Sequence, residues 1–109
     1  MAWLLRDGEV LASLEVATRF GARARGLLGR DGVEGALLLQ PARSVHTIGM
    51  RFPIDVAFVD RDLVVLRTVT MRPWRMSRVV FRARSVLEAE AGAFALWNLV
   101  PGDRLELKD

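Results

Sequence analysis

The polar residues best suited to chemistry gather between Ser44 and Asp60, in the segment S-V-H-T-I-G-M-R-F-P-I-D-V-A-F-V-D, which holds the only histidine of the chain, His46. General acid–base work needs a group that titrates near neutrality and a carboxylate that fixes its tautomer. His46 and Asp55 supply those two residue types, so a hydrolase-like reaction with His46 as general base and Asp55 as its orienter is one expectation. The purely structural alternative has His46 satisfied by a backbone carbonyl and Asp55 paired with an arginine such as Arg51. No nucleophile motif accompanies either residue. Glu88, in V-L-E-A-E-A-G, adds a second carboxylate, which would form an acid–base pair with Asp55 of the kind glycoside hydrolysis uses if both faced one cleft.

A second constellation lies downstream. Six arginines and no acid occur from Arg67 to Arg84, with Trp74 and Phe81 among them. Cations for phosphate and rings for stacking are what single-stranded nucleic acid requires, so Arg72, Trp74, Arg75, Arg78, Arg82 and Arg84 form a candidate contact surface. A solvated arginine face is the alternative. Met50, Met71 and Met76 with Trp74 would either line an apolar cleft or simply fill the core. The Gly26 to Gly29 spacing lacks the lysine and the strand-to-helix setting of a phosphate loop.

Composition narrows the possibilities. The chain has 109 residues, 51% of them hydrophobic and 27% charged, which suits a single globular domain spanning 1–109 and not a disordered segment. With no cysteine and one histidine, disulfides, thiol catalysis and Cys-based zinc sites are excluded, and neither a metal nor a cofactor is expected. The 16 basic and 13 acidic residues give a net charge of only +3, but the excess sits in the middle of the chain and the acids in its tail. Arginine in place of lysine fits either anion recognition or a codon bias. No apolar run approaches the roughly 20 residues of a membrane span, and the opening MAWLLRDG has no signal-peptide pattern, so a cytoplasmic location without a membrane partner is expected. The oligomeric state is left open.

The elements that must position these residues are mostly short strands. Asp7-Gly8 supplies the positive φ angles of a two-residue hairpin between Ala2–Arg6 and Glu9–Val16. A packed helix near residues 18–29 follows, capped by Thr18, with Phe20, Leu27 and Leu28 in its apolar stripe. Further strands are expected over Ala36–Gln40, Arg43–Ile48, Ile54–Val59, Leu63–Met71, Val79–Ala89 and Arg104–Leu107, with a short helical turn over Ala93–Asn98. Alternation puts Val10, Leu14, Leu38, Val56, Phe58, Phe81 and Leu87 inside. The fold class that follows is α+β, mainly β: a compact antiparallel sandwich or barrel, jelly-roll-like, with one packed α-helix.

Several motifs in order, R-A-R-G-L-L-G-R, A-L-L-L, V-H-T-I-G-M-R-F-P-I-D-V-A-F-V-D, V-L-E-A-E-A-G and P-G-D, resemble the DUF192 family of small bacterial and archaeal proteins over most of the chain. Leu28 stands where a methionine is common in that family, and Leu63 where the turn usually carries glycine. The resemblance implies a β-rich domain with one packed helix and no activity. It marks Arg23, Gly26, His46, Met50, Asp55, Glu88, Gly102 and Asp103 only as motif positions.

The residues themselves favour a small polar ligand-binding or interaction module built around His46, Thr47, Met50, Arg51, Asp55 and Glu88. A small domain has little room for unpaired polar groups, each costing about 1–3 kcal/mol. Polar side chains beside apolar strands therefore imply internal pairing or a partner. The Gly49–Pro53 connection, with a permissive glycine and a proline restricting Phe52, would present Met50 and Arg51 rigidly.

Overall fold

The computed structural model describes residues 2–19, 27 and 29–109. Its strands are β1 (Ala2–Arg6), β2 (Glu9–Ala17), β3 (Ala36–Leu39), β4 (Ile54–Val59), β5 (Val65–Met71), β6 (Ser85–Glu90) and β7 (Glu106–Lys108), and a short helix, α1 (Ala93–Trp97), precedes β7. They form one seven-stranded sheet in the order β5-β4-β6-β3-β2-β1-β7. Every pairing is antiparallel except β2 with β3. The mainly β, α+β class is therefore present in a sandwich-like form; the sheet is not closed into a barrel, and one of its pairings is parallel. The β2–β3 connection runs through residues 18–35, long enough for the crossover that a parallel pair needs. The helix expected near 18–29, including Phe20 and Leu28, falls outside the described residues. Leu27 is described, and it is buried.

The β1–β2 hairpin turns as its sequence requires, with Asp7 at φ 53° and Gly8 at φ 77°. A bulge between Leu4 and Leu5 shifts the register beyond that turn, and Val10 ends 55% exposed instead of buried. The sheet curls until its edges meet at one end. There Val65 donates its N–H to the Asp103 carbonyl at 2.8 Å, Gly102 donates to the Val65 carbonyl at 2.7 Å, and Leu105 donates to the Leu63 carbonyl at 2.8 Å. The inner face thus encloses Leu4, Leu14, Leu38, Ala57, Leu87 and Leu105, with Phe94 of α1 packed against them.

The other face carries Leu37, Ile54, Val56, Phe58, Met71 and Val86, and it is covered by irregular chain contributing Val45, Met50 and Ala83. Two strand expectations fail in this cover. Residues 43–48 form only an isolated bridge between His46 and Met76. The long strand over Val79–Ala89 begins only at Ser85. Before it, Val80 donates to the Arg43 carbonyl and Ala83 to the Val80 carbonyl, at 2.8 and 2.9 Å. That turn breaks the alternation, so Phe81 is 80% exposed although an uninterrupted strand would bury it.

Because β3 is central and covered on both faces, all four of its residues are buried, as expected of a continuous apolar run. Leu38→Ala should lower unfolding free energy by about 2–5 kcal/mol in urea denaturation. A loss below about 1 kcal/mol would contradict its place in the enclosed core.

Candidate functional site

Strand register decides which candidate residues can share a site. Asp55 pairs with Ala89 and Val56 with Glu88. Directly opposed residues share a face and neighbours alternate, so Asp55 points to the inner face and Glu88 to the covered outer one. They form no carboxylate pair.

Asp55 is buried, and its oxygens are taken by its surroundings. Oδ1 accepts from Thr70 Oγ1 at 2.7 Å, and Oδ2 accepts from the backbone N–H groups of Gly92 and Phe94 at 2.9 and 3.1 Å. Gly92, at φ 98°, has no side chain to cap α1, so a carboxylate from β4 does what a local N-cap residue would. The hairpin register places Thr70 opposite Asp55. Counting back from the Asp60–Asp62 turn does not find that partner, because a bulge between Phe58 and Val59 shifts the register.

His46 is exposed. Its Nδ1 accepts from the Ile48 N–H at 3.3 Å, so Asp55 does not orient its ring. Arg51 pairs with Asp31 at 2.7 Å, and both side chains are largely in solvent. Such a pair contributes at most about 1 kcal/mol. Met50 is buried among the outer-face residues and presents nothing to a ligand. Among the described residues, no three of His, Asp or Glu gather as metal ligands would.

Thr47 is fully buried and acts as a rivet between two segments of the cover. Its Oγ1 donates to the Arg72 carbonyl at 2.6 Å and accepts from the Arg75 N–H at 2.9 Å. Its own N–H donates to the Arg75 carbonyl at 2.8 Å, and its carbonyl accepts from Trp74 N–H at 2.8 Å and Met50 N–H at 3.1 Å. These bonds hold Trp74 at φ 64°, a left-handed conformation that a bulky residue rarely adopts unaided. Ser77 extends the pairing: its N–H donates to the Val45 carbonyl and its Oγ accepts from Val45 N–H, at 2.8 and 2.9 Å.

The riveted segment forms one wall of a groove of about 610 Å³, lined by Arg67, Arg72, Arg75 and Arg78 over an apolar floor that includes Phe58 and Met71. A second groove of about 490 Å³ adjoins it, sharing Arg67, Arg78 and Val80 and adding Phe81 and Arg82. No carboxylate lines either groove, and none of the five arginines has an ion-pair partner among the described residues. The site that the structure builds is therefore cationic, beside the histidine segment instead of centred on it.

Glu88 stands apart. Flanked by Leu37 and Val56, it is 2% exposed, and its Oε1 is buried with no hydrogen-bond partner among the described residues. Burial pushes its carboxyl up from 4.5 to about 7, against the attraction of the Arg30 guanidinium. Arg30 itself also pairs with Glu15 at 2.9 Å.

Comparison with known proteins bears on what the site is for. The family model for DUF192, described as an uncharacterized ACR, matches residues 2–107. A UPF0127 protein of Pyrococcus abyssi is 29% identical over 98 residues, covering 85% of this chain and 84% of that protein. Two crystal structures share the fold, each with a TM-score of 0.79 over 96% of this chain. One is a protein of unknown function from Novosphingobium aromaticivorans, 20% identical over 82% of its length. The other is a Sinorhizobium meliloti protein provisionally named a transcription regulator, 22% identical over 90% of its length. At those identities the structural likeness speaks to fold alone.

The raised Glu88 carboxyl has a consequence for stability. A folded-state value above the unfolded one means that stability is fully present below about pH 4.5 and is lost as pH rises through about 7. The shift corresponds to about 3 kcal/mol. Glu88→Gln should therefore gain on the parent by about 2–3 kcal/mol between pH 4.5 and pH 8 in paired denaturation curves. A difference that stays constant with pH would contradict a buried, unpartnered carboxyl.

Proposed function

The chain belongs to the DUF192 family of uncharacterized proteins, and from that premise we propose that it is a binding module for an anionic ligand, received in the arginine-lined trough over β4 and β5. The observation that carries this reading is the set of five arginines around two adjoining grooves with no acid among them. Unpaired guanidinium groups gathered on one surface repel each other, and a phosphate or carboxylate that bridges them relieves that repulsion through charge-assisted, often bidentate hydrogen bonds. The apolar floor favours a ligand with an uncharged portion beside its charge. The reading places the protein in the cytoplasm, where phosphorylated ligands are plentiful.

Within this reading the H-T segment has a supporting part. Thr47 shapes the turn that carries Arg72 and Arg75, and His46 sits beside Met76 at the outer edge. Asp55 and Glu88 take no part in the trough: the first fastens α1 and the second faces the covered layer. A general-base mechanism lacks its orienting carboxylate, since Asp55 is committed to Thr70, Gly92 and Phe94.

Inorganic pyrophosphate is the simplest probe. A ligand that binds only the folded state raises its stability, so pyrophosphate should raise the melting temperature of the parent in low salt. Arg67→Gln combined with Arg78→Gln should abolish the rise, whereas Arg104→Gln, away from the trough, should retain it. No rise in the parent, or a rise undiminished in the double variant, would overturn the reading.

A further inference from the structure

We infer that the anionic ligand of the trough is single-stranded nucleic acid, with Trp74 and Phe81 as the surfaces on which bases stack; this rests on the trough being an anion site. Three observations carry the inference beyond a small anion. The first is extent, because the two grooves continue into each other across Arg67 and Arg78 and place arginines along both. A lone phosphate needs one or two guanidinium groups, whereas a backbone with repeated charges uses a row of them.

The second observation is the pair of exposed rings. Trp74 is 64% and Phe81 80% exposed, and each lies within the arginine-bearing stretch. Phe81 lines the second groove, while Trp74 lines neither but falls in sequence between Arg72 and Arg75, which line the first. A flat ring face beside phosphate-binding cations is what unstacked bases require, since every base has a π-face.

The third is that both rings stand on braced backbone. Trp74 is held by its N–H bond to the Thr47 carbonyl at 2.8 Å. Phe81 lies in a turn closed by the Ala83 N–H to Val80 carbonyl bond and tied to Arg43 through Val80 N–H. A platform fixed before binding loses less entropy when a base settles on it. Duplex recognition through the major groove is not favoured: α1, the one helix among the described residues, has only five residues, and the grooves lie on sheet and loops. An anionic membrane would also attract arginines and aromatic rings, and vesicles containing phosphatidylserine test that alternative directly.

The test compares a fluorescent thymidylate dodecamer with an abasic dodecamer of the same phosphate–deoxyribose backbone, on the full chain. The parent should bind the thymidylate at least fivefold more tightly. Trp74→Asn, which keeps a residue that tolerates left-handed backbone, and Phe81→Ala should each bring the thymidylate affinity down toward the abasic one. With four or five phosphates neutralised at a slope of about 0.7 each, affinity should fall roughly 50- to 130-fold between 50 and 200 mM salt. Equal affinity for the two oligomers would overturn the nucleic-acid inference and leave the anion site standing. Binding to neither oligomer, with pyrophosphate still bound, would do the same, as would binding only to vesicles containing phosphatidylserine. If pyrophosphate also fails to bind, the underlying reading falls with it.

Discussion

The hydroxyl of Thr47 is the point on which the outer surface depends. It is sealed from water, donates a hydrogen bond to the Arg72 carbonyl, and accepts one from the Arg75 N–H. A buried hydroxyl without partners costs free energy, and two partners offset that cost while fixing geometry. The geometry fixed here is a turn whose bulky third residue, Trp74, has a left-handed backbone. Pro73 favours such a turn locally, and Thr47 supplies the hydrogen bonds that fasten it to the cover. With the turn so fastened, Arg72 and Arg75 stand along the groove wall, and the pairing of Ser77 with Val45 and of Val80 with Arg43 carries the same brace onward to Phe81.

The sheet separates structural polar groups from the trough. Alternation along β4 and β6 sends Asp55 and Glu88 to opposite faces. Asp55 substitutes for a missing side-chain cap and ties α1 across the end of the sheet. Glu88 lies under the cover with one oxygen unpartnered, so its charge opposes folding at neutral pH. Neither carboxylate reaches the arginines, and this keeps the grooves free of internal counter-charge. The trough is thus positive because of where the acids were placed as much as where the arginines were.

Much of this was legible from local patterns. Asp7-Gly8 marks its hairpin because only residues tolerating positive φ fit that turn, and β3 reads as a doubly covered strand because its apolar run is continuous. Thr47 and Asp55 were identifiable as unusual polar residues, but their partners are 25 and 15 residues away in sequence, at Arg72 and Thr70, so their structural roles are set by tertiary pairing. Phe81 departs from the alternation for a related reason. Alternation from Ser85 onward is genuine, but hydrogen bonds from Val80 and Ala83 turn the chain just before it, and no local signal such as proline or glycine announces that turn. Val10 shows how one bulge at Leu4–Leu5 reverses exposure that periodicity alone assigns. The arginine stretch was visible as composition, yet its joining into one trough needed the fold.

The dependence of the trough on Thr47 is best measured by amide hydrogen exchange at Trp74, Arg75 and Ser77 in Thr47→Val, which keeps the side-chain volume and removes the hydroxyl, with Thr47→Ser as the control that restores it. Loss of a buried hydrogen-bonding group of about 1–3 kcal/mol should speed exchange at these three amides roughly tenfold or more while the β4 and β6 amides stay protected. The serine variant should exchange like the parent. Unchanged exchange at Trp74, Arg75 and Ser77 in the folded valine variant would contradict the claim that this hydroxyl holds the arginine wall in place.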